Sequence, residues 1–504
     1  LLRSPIQQQH TPIAVIGGGL TGMATAARLA ARGRRVAVFE SHRTLGGCSS
    51  YFRRSGFAFD VGCTTLVDYR PGGVGGRLLE EIGVPDAAIE HLSGYLAWLP
   101  GLTIALHADP ALWRAERARA LGDTANHRKF WSLLDTLFET FLRASQRGAR
   151  MPIRTLADLR AAAGSLPLHQ WPMLRYLNWT LDDAVRWAGL QGDARLRGFL
   201  GMVVQDTVHS TIDVAPLINS SLGLAIRANI ARPRGGMYGF WNAFEARAAA
   251  LGVIIHRATK VDAIVRTSPG QPNRFRIATD RGEFTADLVI CTLPIWDSAR
   301  IGPPEVGAAL KRWCNRDETA LGGAAILTMG VPEAEVQGQT LTHHQFLPRP
   351  GESLGDGNNC FLSISSAGDL DSAPHGWRAA MLSTHVELDG WLEADAEKHA
   401  ARKQALGDEL LAIARVAYPQ LGEQAKWLAI ASPKTYAKFT RRHRGGVGGT
   451  RLTLANSNQH SVPHDIGIQG WIQAGDTTWP GLGTAACAIS SDLIATMACA
   501  MSER

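Results

Sequence analysis

With 504 residues, 45% of them hydrophobic and 19% charged, the chain reads as a globular, somewhat apolar protein of two or three domains around a large core. Its seven cysteines include no C-x-x-C pair, which excludes a disulfide framework and a zinc site and points to a reduced, cytoplasmic setting with no bound metal. The net charge of +7 comes without any nucleic-acid-binding module, so the inner face of an anionic membrane is a better partner than RNA or DNA.

H-E-x-x-H is absent, which removes metalloprotease chemistry of that kind. No apolar run of about 18 residues stands out, and the polar opening from Arg3 to His10 does not read as a signal peptide.

In chain order, Ile13-Ala-Val-Ile16 runs into Gly17-Gly-Gly19-Leu20-Thr21-Gly22, then an Ala-rich helix, then a strand from Arg35 to Phe39 closed by Glu40. Strand, tight turn, helix, strand and acid make a dinucleotide-binding unit. Gly17 allows the sharp turn, and Gly19 lets the backbone approach a pyrophosphate that the helix N-terminus stabilises. Gly22 permits close packing of helix on strand. Glu40 stands about 20 residues on, where a carboxylate accepts from ribose hydroxyls and disfavours a 2′-phosphate. Next come Gly46-Gly47-Cys48-Ser49, a second backbone loop of the kind that the long FAD molecule needs, and then Thr64 and Thr65.

From His127 to Gly192 the chain carries Phe130, Leu133, Leu134, Leu137, Phe138 and Phe141 at helical spacing, followed by Trp171, Leu174 and Trp179 with arginines among them. This stretch reads either as a surface for docking at a membrane interface or as core and tunnel lining. Asp206 and His209 are acid–base candidates in the substrate region. Strands are expected at 322–329, 361–365 and 379–385, and a helix from Ala394 to Tyr418 that Pro419 stops. His343-His344 has no partner pattern and reads as surface. Arg441-Arg442-His443-Arg444 reads as a solvated loop, with contact to a polar end-group as the alternative.

Near the end, Gln473-Ala-Gly475-Asp476 and Trp479-Pro480-Gly481-Leu-Gly483-Thr484 lead into a second Ala-rich helix, to about Ala498. Ser490, Ser491 and Asp492 make it a poor membrane span, and it reads as a buried packing helix. Its positive end is also suited to stabilising negative charge on a reduced flavin.

These motifs, with Pro233-Arg-Gly235-Gly236, Thr259-Lys-Val261 and Asp287 to Pro294, resemble the phytoene desaturase and carotenoid isomerase family of the amine-oxidase-like flavoproteins. Ala97 to Gly101 and Trp113 to Arg117 look most like its carotenoid 3′,4′-desaturase branch. The resemblance implies an α/β fold, with a discontinuous Rossmann-type FAD-binding domain (1–78, 228–300 and 466–504) and an inserted α+β substrate domain (79–227 and 301–465). It implies FAD held by Gly17, Gly19, Leu20, Thr21, Gly22, Glu40, Gly46, Gly47, Cys48, Ser49, Val261, Gly475, Asp476, Gly483 and Thr484. By the same resemblance, the Val261 backbone meets the adenine end and Asp476 the ribityl or phosphate-proximal oxygens.

The implied reaction is desaturation of a long apolar carotenoid-like or polyene substrate by hydride transfer to flavin N5, the substrate being taken up at a membrane surface. No catalytic residue is assigned; Thr64, Asp206, His209 and Trp479 are the pocket candidates. An isomerase or a saturase would use the same frame. So would an amine oxidase, although Cys48 stands where that branch often has arginine. A lipid-binding escort, like the Rab GDP-dissociation inhibitors, would share the fold without flavin, but the intact Glu40, Gly47 and Asp476 motifs argue against it.

Overall fold

Ile13, Ala14, Val15 and Ile16 are all buried, as an unbroken apolar run is at the centre of a sheet covered on both faces. The computed structural model describes residues 9–267 and 274–502; the polar opening, up to residue 8, lies outside the described residues. Gln9–Ile16 is the central strand of a seven-stranded sheet. It pairs in parallel with Val36–Phe39 on one side and Gly282–Cys291 on the other. Ile254–His256 and Trp471–Gln473 extend the parallel part, while Phe275–Thr279 and Val261–Arg266 fold back antiparallel. One sheet thus draws strands from three separated pieces of the chain.

The helices Leu20–Ala31 and Thr484–Ser502 pack together in one core, through Met23, Ala27, Ile494 and Ala498 among others. By length and composition alone, Thr484–Met501 could cross a bilayer. Here Ile494, Ala495 and Ala498 are fully buried, and Asp492 pairs with Arg28 at 2.8 Å and with Arg32. The polar interruption of this helix is a docking contact to the helix beside it.

The second sheet, also seven-stranded, runs in the order Trp427–Ala431, Gly323–Pro332, Trp377–Val386, Cys360–Ile364, His343–Phe346, Gly94–Leu99 and Leu102–His107. It is antiparallel except where His343–Phe346 lies parallel to Gly94–Leu99. The expected strands therefore form, and the expected helix runs from Ala396 to Ala414 with the Asp395 side chain capping it by accepting the Lys398 N–H at 2.8 Å. The helices Ala125–Gln146, Ala194–Val208 and Leu217–Ile226 share a core with Tyr95, Ala97 and Phe361 of this sheet.

One expectation needs correction. His343 and His344 are fully buried strand residues, not surface. His344 accepts from Trp98 Nε1 at 3.1 Å and bonds the Tyr418 hydroxyl at 2.9 Å, and burial pushes its pKa down to about 3. The stretch from 127 to 192 divides by exposure. Phe130, Leu133, Leu134 and Leu137 belong to the core, whereas Leu156, Leu168, Trp171, Leu174 and Trp187 are exposed.

Candidate functional site

At the end of the central strand Gly17 adopts φ +105°, and the next helix begins at Leu20 with Gly19 as a cap that offers no side-chain hydrogen bond. The first N–H groups of this helix are therefore left for a ligand. A Cβ on Gly22 would lie 2.1 Å from the Gly17 carbonyl oxygen, so glycine is what lets the helix close on the turn. A Cβ on Gly19 would meet nothing nearer than the Gly46 carbonyl oxygen, 4.0 Å away, which leaves open space above the turn. Gly46 bridges to Gly19 and donates its N–H to the Gly18 carbonyl at 2.8 Å, laying the second glycine loop against the first.

Glu40 ties this loop to the end of the second strand. Its Oε2 accepts the Gly18 N–H at 2.7 Å and its Oε1 accepts the His42 N–H at 2.6 Å. Oε1 also accepts from the Ser41 hydroxyl at 3.3 Å, whereas Oε2 keeps a second lone pair for a ligand hydroxyl. Glu40, Gly17 and Val261 line a cavity of about 560 Å³ together with His42, Thr259 and Pro294. A second cavity, of about 430 Å³, is lined by Leu20, Thr21, Gly22, Gly46, Cys48, Ser49, Thr64, Gly475, Asp476, Gly483 and Thr484. The two share Gly19, Gly47, Thr292, Tyr436 and Arg442, so one cleft runs from Glu40 to the start of the last helix.

Asp476 sits where these cavities meet the C-terminal turn. Its Oδ2 accepts from Arg442 at 2.7 Å, while its Oδ1 is buried with no partner among the described residues. Burial opposes the Arg442 charge, but Asp476 and Cys48 beside it outweigh burial and raise its pKa above the usual arginine value. The solvated-loop reading of the Arg441–Arg444 run is corrected here. Arg442 is mostly buried, its neighbour His443 stacks on Trp296 at 5.2 Å, and Arg444 pairs with Asp389. An acceptor buried without a partner among the described residues, an uncapped helix N-terminus and the open position at Gly19 together fit a dinucleotide with an anionic centre and hydroxylated arms.

The second cavity continues past Thr64 and Thr65 to Asp206, His209, Arg227 and His385, between apolar walls of Leu222, Ile226, Phe361 and Leu452. Burial pushes Cys63 up to about 12 and Cys487 up to about 11, so both thiols facing this space stay protonated and unreactive at neutral pH. Every sequence-selected residue lines one of the two cavities except Trp479, which lines neither and donates its N–H to the Val462 carbonyl at 3.1 Å. Arg227 and His385 are not legible as site residues, and Arg442 only as one of a basic run, because each is placed by a partner or wall far away in the chain.

The description "NAD(P)-binding Rossmann-like domain" matches residues 15–82. Prolycopene isomerase 1, chloroplastic, of an Oncidium hybrid cultivar is 24% identical over 95% of this chain and 82% of its own. The 4,4′-diapophytoene desaturase (4,4′-diaponeurosporene-forming) of Staphylococcus haemolyticus is 51% identical over 55 residues, 11% of either chain. Among solved structures, an oxidoreductase from Methanosarcina mazei superposes with a TM-score of 0.64 at 18% identity, covering 96% of this chain and 99% of its own.

Glu40→Ala and Asp476→Ala each remove a charged acceptor from the cleft, and each is expected to weaken dinucleotide retention by about 1.5–3 kcal/mol. Equilibrium dialysis of both variants against the wild type checks this, with circular dichroism to confirm the fold; unchanged affinity in both would refute the assignment.

Proposed function

Taking as premise that this chain belongs to the carotenoid desaturase and isomerase family of FAD-dependent oxidoreductases, we propose that it holds FAD along the cleft from Glu40 to Thr484 and removes two hydrogens from a long apolar polyene. The observation that carries the reading is the apolar cavity that opens directly from the dinucleotide cleft. Leu222, Ile226, Phe361, Leu452 and Leu482 offer hydrocarbon surface beside Thr64 and Gly483 of the cofactor side.

When bound, FAD supplies a hydride acceptor at N5, and the polyene spreads the positive charge left behind. The protein's own part is to position and to keep water out. Burial keeps Cys63 protonated, so it offers no thiolate to trap the cation. The helix starting at Thr484 turns its positive end toward the cleft, which favours negative charge there.

A second reading has one specific support. The relatives matched along nearly the whole chain are prolycopene isomerases, whereas the desaturase match is confined to 55 residues. Isomerisation would use the same cavity without net loss of hydrogen. Incubation of the flavin-loaded protein with linear polyenes and a quinone acceptor, followed by mass spectrometry, separates the readings. Desaturation gives a product lighter by two hydrogens. A product of unchanged mass and altered retention supports isomerisation, one heavier by two hydrogens in a parallel incubation with dithionite in place of the quinone supports a saturase, and no conversion of any polyene sinks the proposal.

The reading also includes peripheral attachment to the inner face of the cytoplasmic membrane, from which an apolar substrate is drawn. Its support is the run of exposed apolar side chains between residues 156 and 187, with Arg160, Arg175 and Arg186 exposed among them. Apolar burial should dominate binding and anionic lipid should strengthen it. In liposome co-sedimentation, wild type is expected in the pellet with anionic vesicles, and Leu168→Asp and Trp171→Asp in the supernatant. A folded wild type that stays in the supernatant at every lipid composition would refute docking.

A further inference from the structure

The substrate cavity holds a charged group that the proposed reaction does not use. Asp206, on the helix Ala194–Val208, accepts from Arg227 Nε at 2.6 Å. The Arg227 guanidinium packs against the rings of Tyr95 and Phe361, 4.9 and 4.6 Å from their centroids, and the residue is 5% exposed. Its Nη1 is buried with no acceptor among the described residues. Beside the pair, His209 and His385 meet edge to face at 4.3 Å, and His385 Nε2 stands 4.0 Å from Asp206 Oδ1. His209 Nδ1 is also buried without a partner. All four residues line the cavity.

A buried ion pair is costly unless its remaining N–H groups and lone pairs are satisfied, and a pure hydrocarbon satisfies none of them. Burial alone would raise the Asp206 carboxyl, but Arg227 and His385 outweigh it and hold it well below the usual carboxylate range. Burial, with His385 beside it, pushes His209 well below the usual imidazole range, so His209 is neutral at pH 7. Asp206 and Arg227 neutralise each other, so a carboxylate reaching Arg227 would stand beside Asp206 and an ammonium reaching Asp206 would stand beside Arg227. A neutral oxygen would accept the free Nη1 hydrogen bond at no such cost.

Resting on the polyene reading above, we propose that Arg227, held by Asp206 and flanked by His209 and His385, is a subsite for a neutral oxygen function, a carbonyl or a hydroxyl, carried by the polyene substrate. Anchoring that oxygen fixes how far the chain enters, and so which carbon–carbon bond lies beside the cofactor. Arg227 is then a specificity-determining residue and Asp206 its positioning residue.

The test titrates purified flavin-loaded protein with four linear polyenes of equal length, the hydrocarbon and its terminal ketone, alcohol and carboxylate, following tryptophan fluorescence. The ketone or the alcohol is expected to bind about tenfold more tightly than the hydrocarbon, the scale of one hydrogen bond to a charged donor. Polarisation of its carbonyl should also shift the ketone's absorption to longer wavelength. Asp206→Leu/Arg227→Met removes both charges together and should bring the oxygenated probes down to hydrocarbon affinity with FAD content unchanged. Equal wild-type affinity for all four probes overturns the subsite, and so does preference for the carboxylate. Binding of none of them by flavin-loaded protein overturns the polyene reading beneath it. If the double variant does not fold, the wild-type ranking decides alone.

Discussion

Three pieces of chain far apart in sequence meet at Thr292, and the cleft depends on that meeting. The Thr292 N–H and hydroxyl both donate to the Ile16 carbonyl at 2.9 Å, and Ala474 donates to the Cys291 carbonyl at 2.8 Å. A Cβ on Gly17 would stand 2.7 Å from the Thr292 hydroxyl, and one on Gly475 would stand 2.6 Å from its carbonyl oxygen. Any side chain at either glycine would push these strand ends apart. A dinucleotide needs its pyrophosphate turn and its distal arm held at a fixed spacing, and this junction supplies it by joining the N-terminal turn to the Asp476 turn through one residue.

Charge then works on that frame by pairing across it. Arg442 reaches Asp476 from a loop 34 residues earlier. Arg232 and Asp60, each 1% exposed, meet at 3.3 Å between segments 172 residues apart. Such pairs cost desolvation and add little net stability, but a wrong arrangement that left one of them alone would be penalised heavily. Their contribution is to select one arrangement of the pieces. Asp476 and Arg227, whose pairs leave Oδ1 and Nη1 unsatisfied among the described residues, both line the cavity that opens from the cleft.

The parts legible in the sequence are those whose physics is local. Gly17, Gly19 and Gly22 are legible because backbone geometry within six residues demands them, and the sheet strands because their apolar runs are continuous. The helix after Ala394 is legible for the same reason, although it begins at Ala396 and ends at Ala414, before Pro419. The parts misread are fixed by distant partners. His344 is buried because Trp98, 246 residues away, gives its ring a hydrogen bond. Arg442 looks like one more charge in a basic run until Asp476 is placed beside it. Trp479 stands in a motif expected to approach a flavin, but the turn directs Pro480 rather than Trp479 to the cavity.

The central claim is that the cleft from Glu40 to Thr484 is a flavin site. The most direct measurement is to denature the purified protein and identify the released chromophore by absorption and mass. The account predicts FAD at about one per chain, regained when apoprotein is mixed with FAD. A colourless protein that takes up no flavin, or one that retains only a nicotinamide dinucleotide, would contradict it.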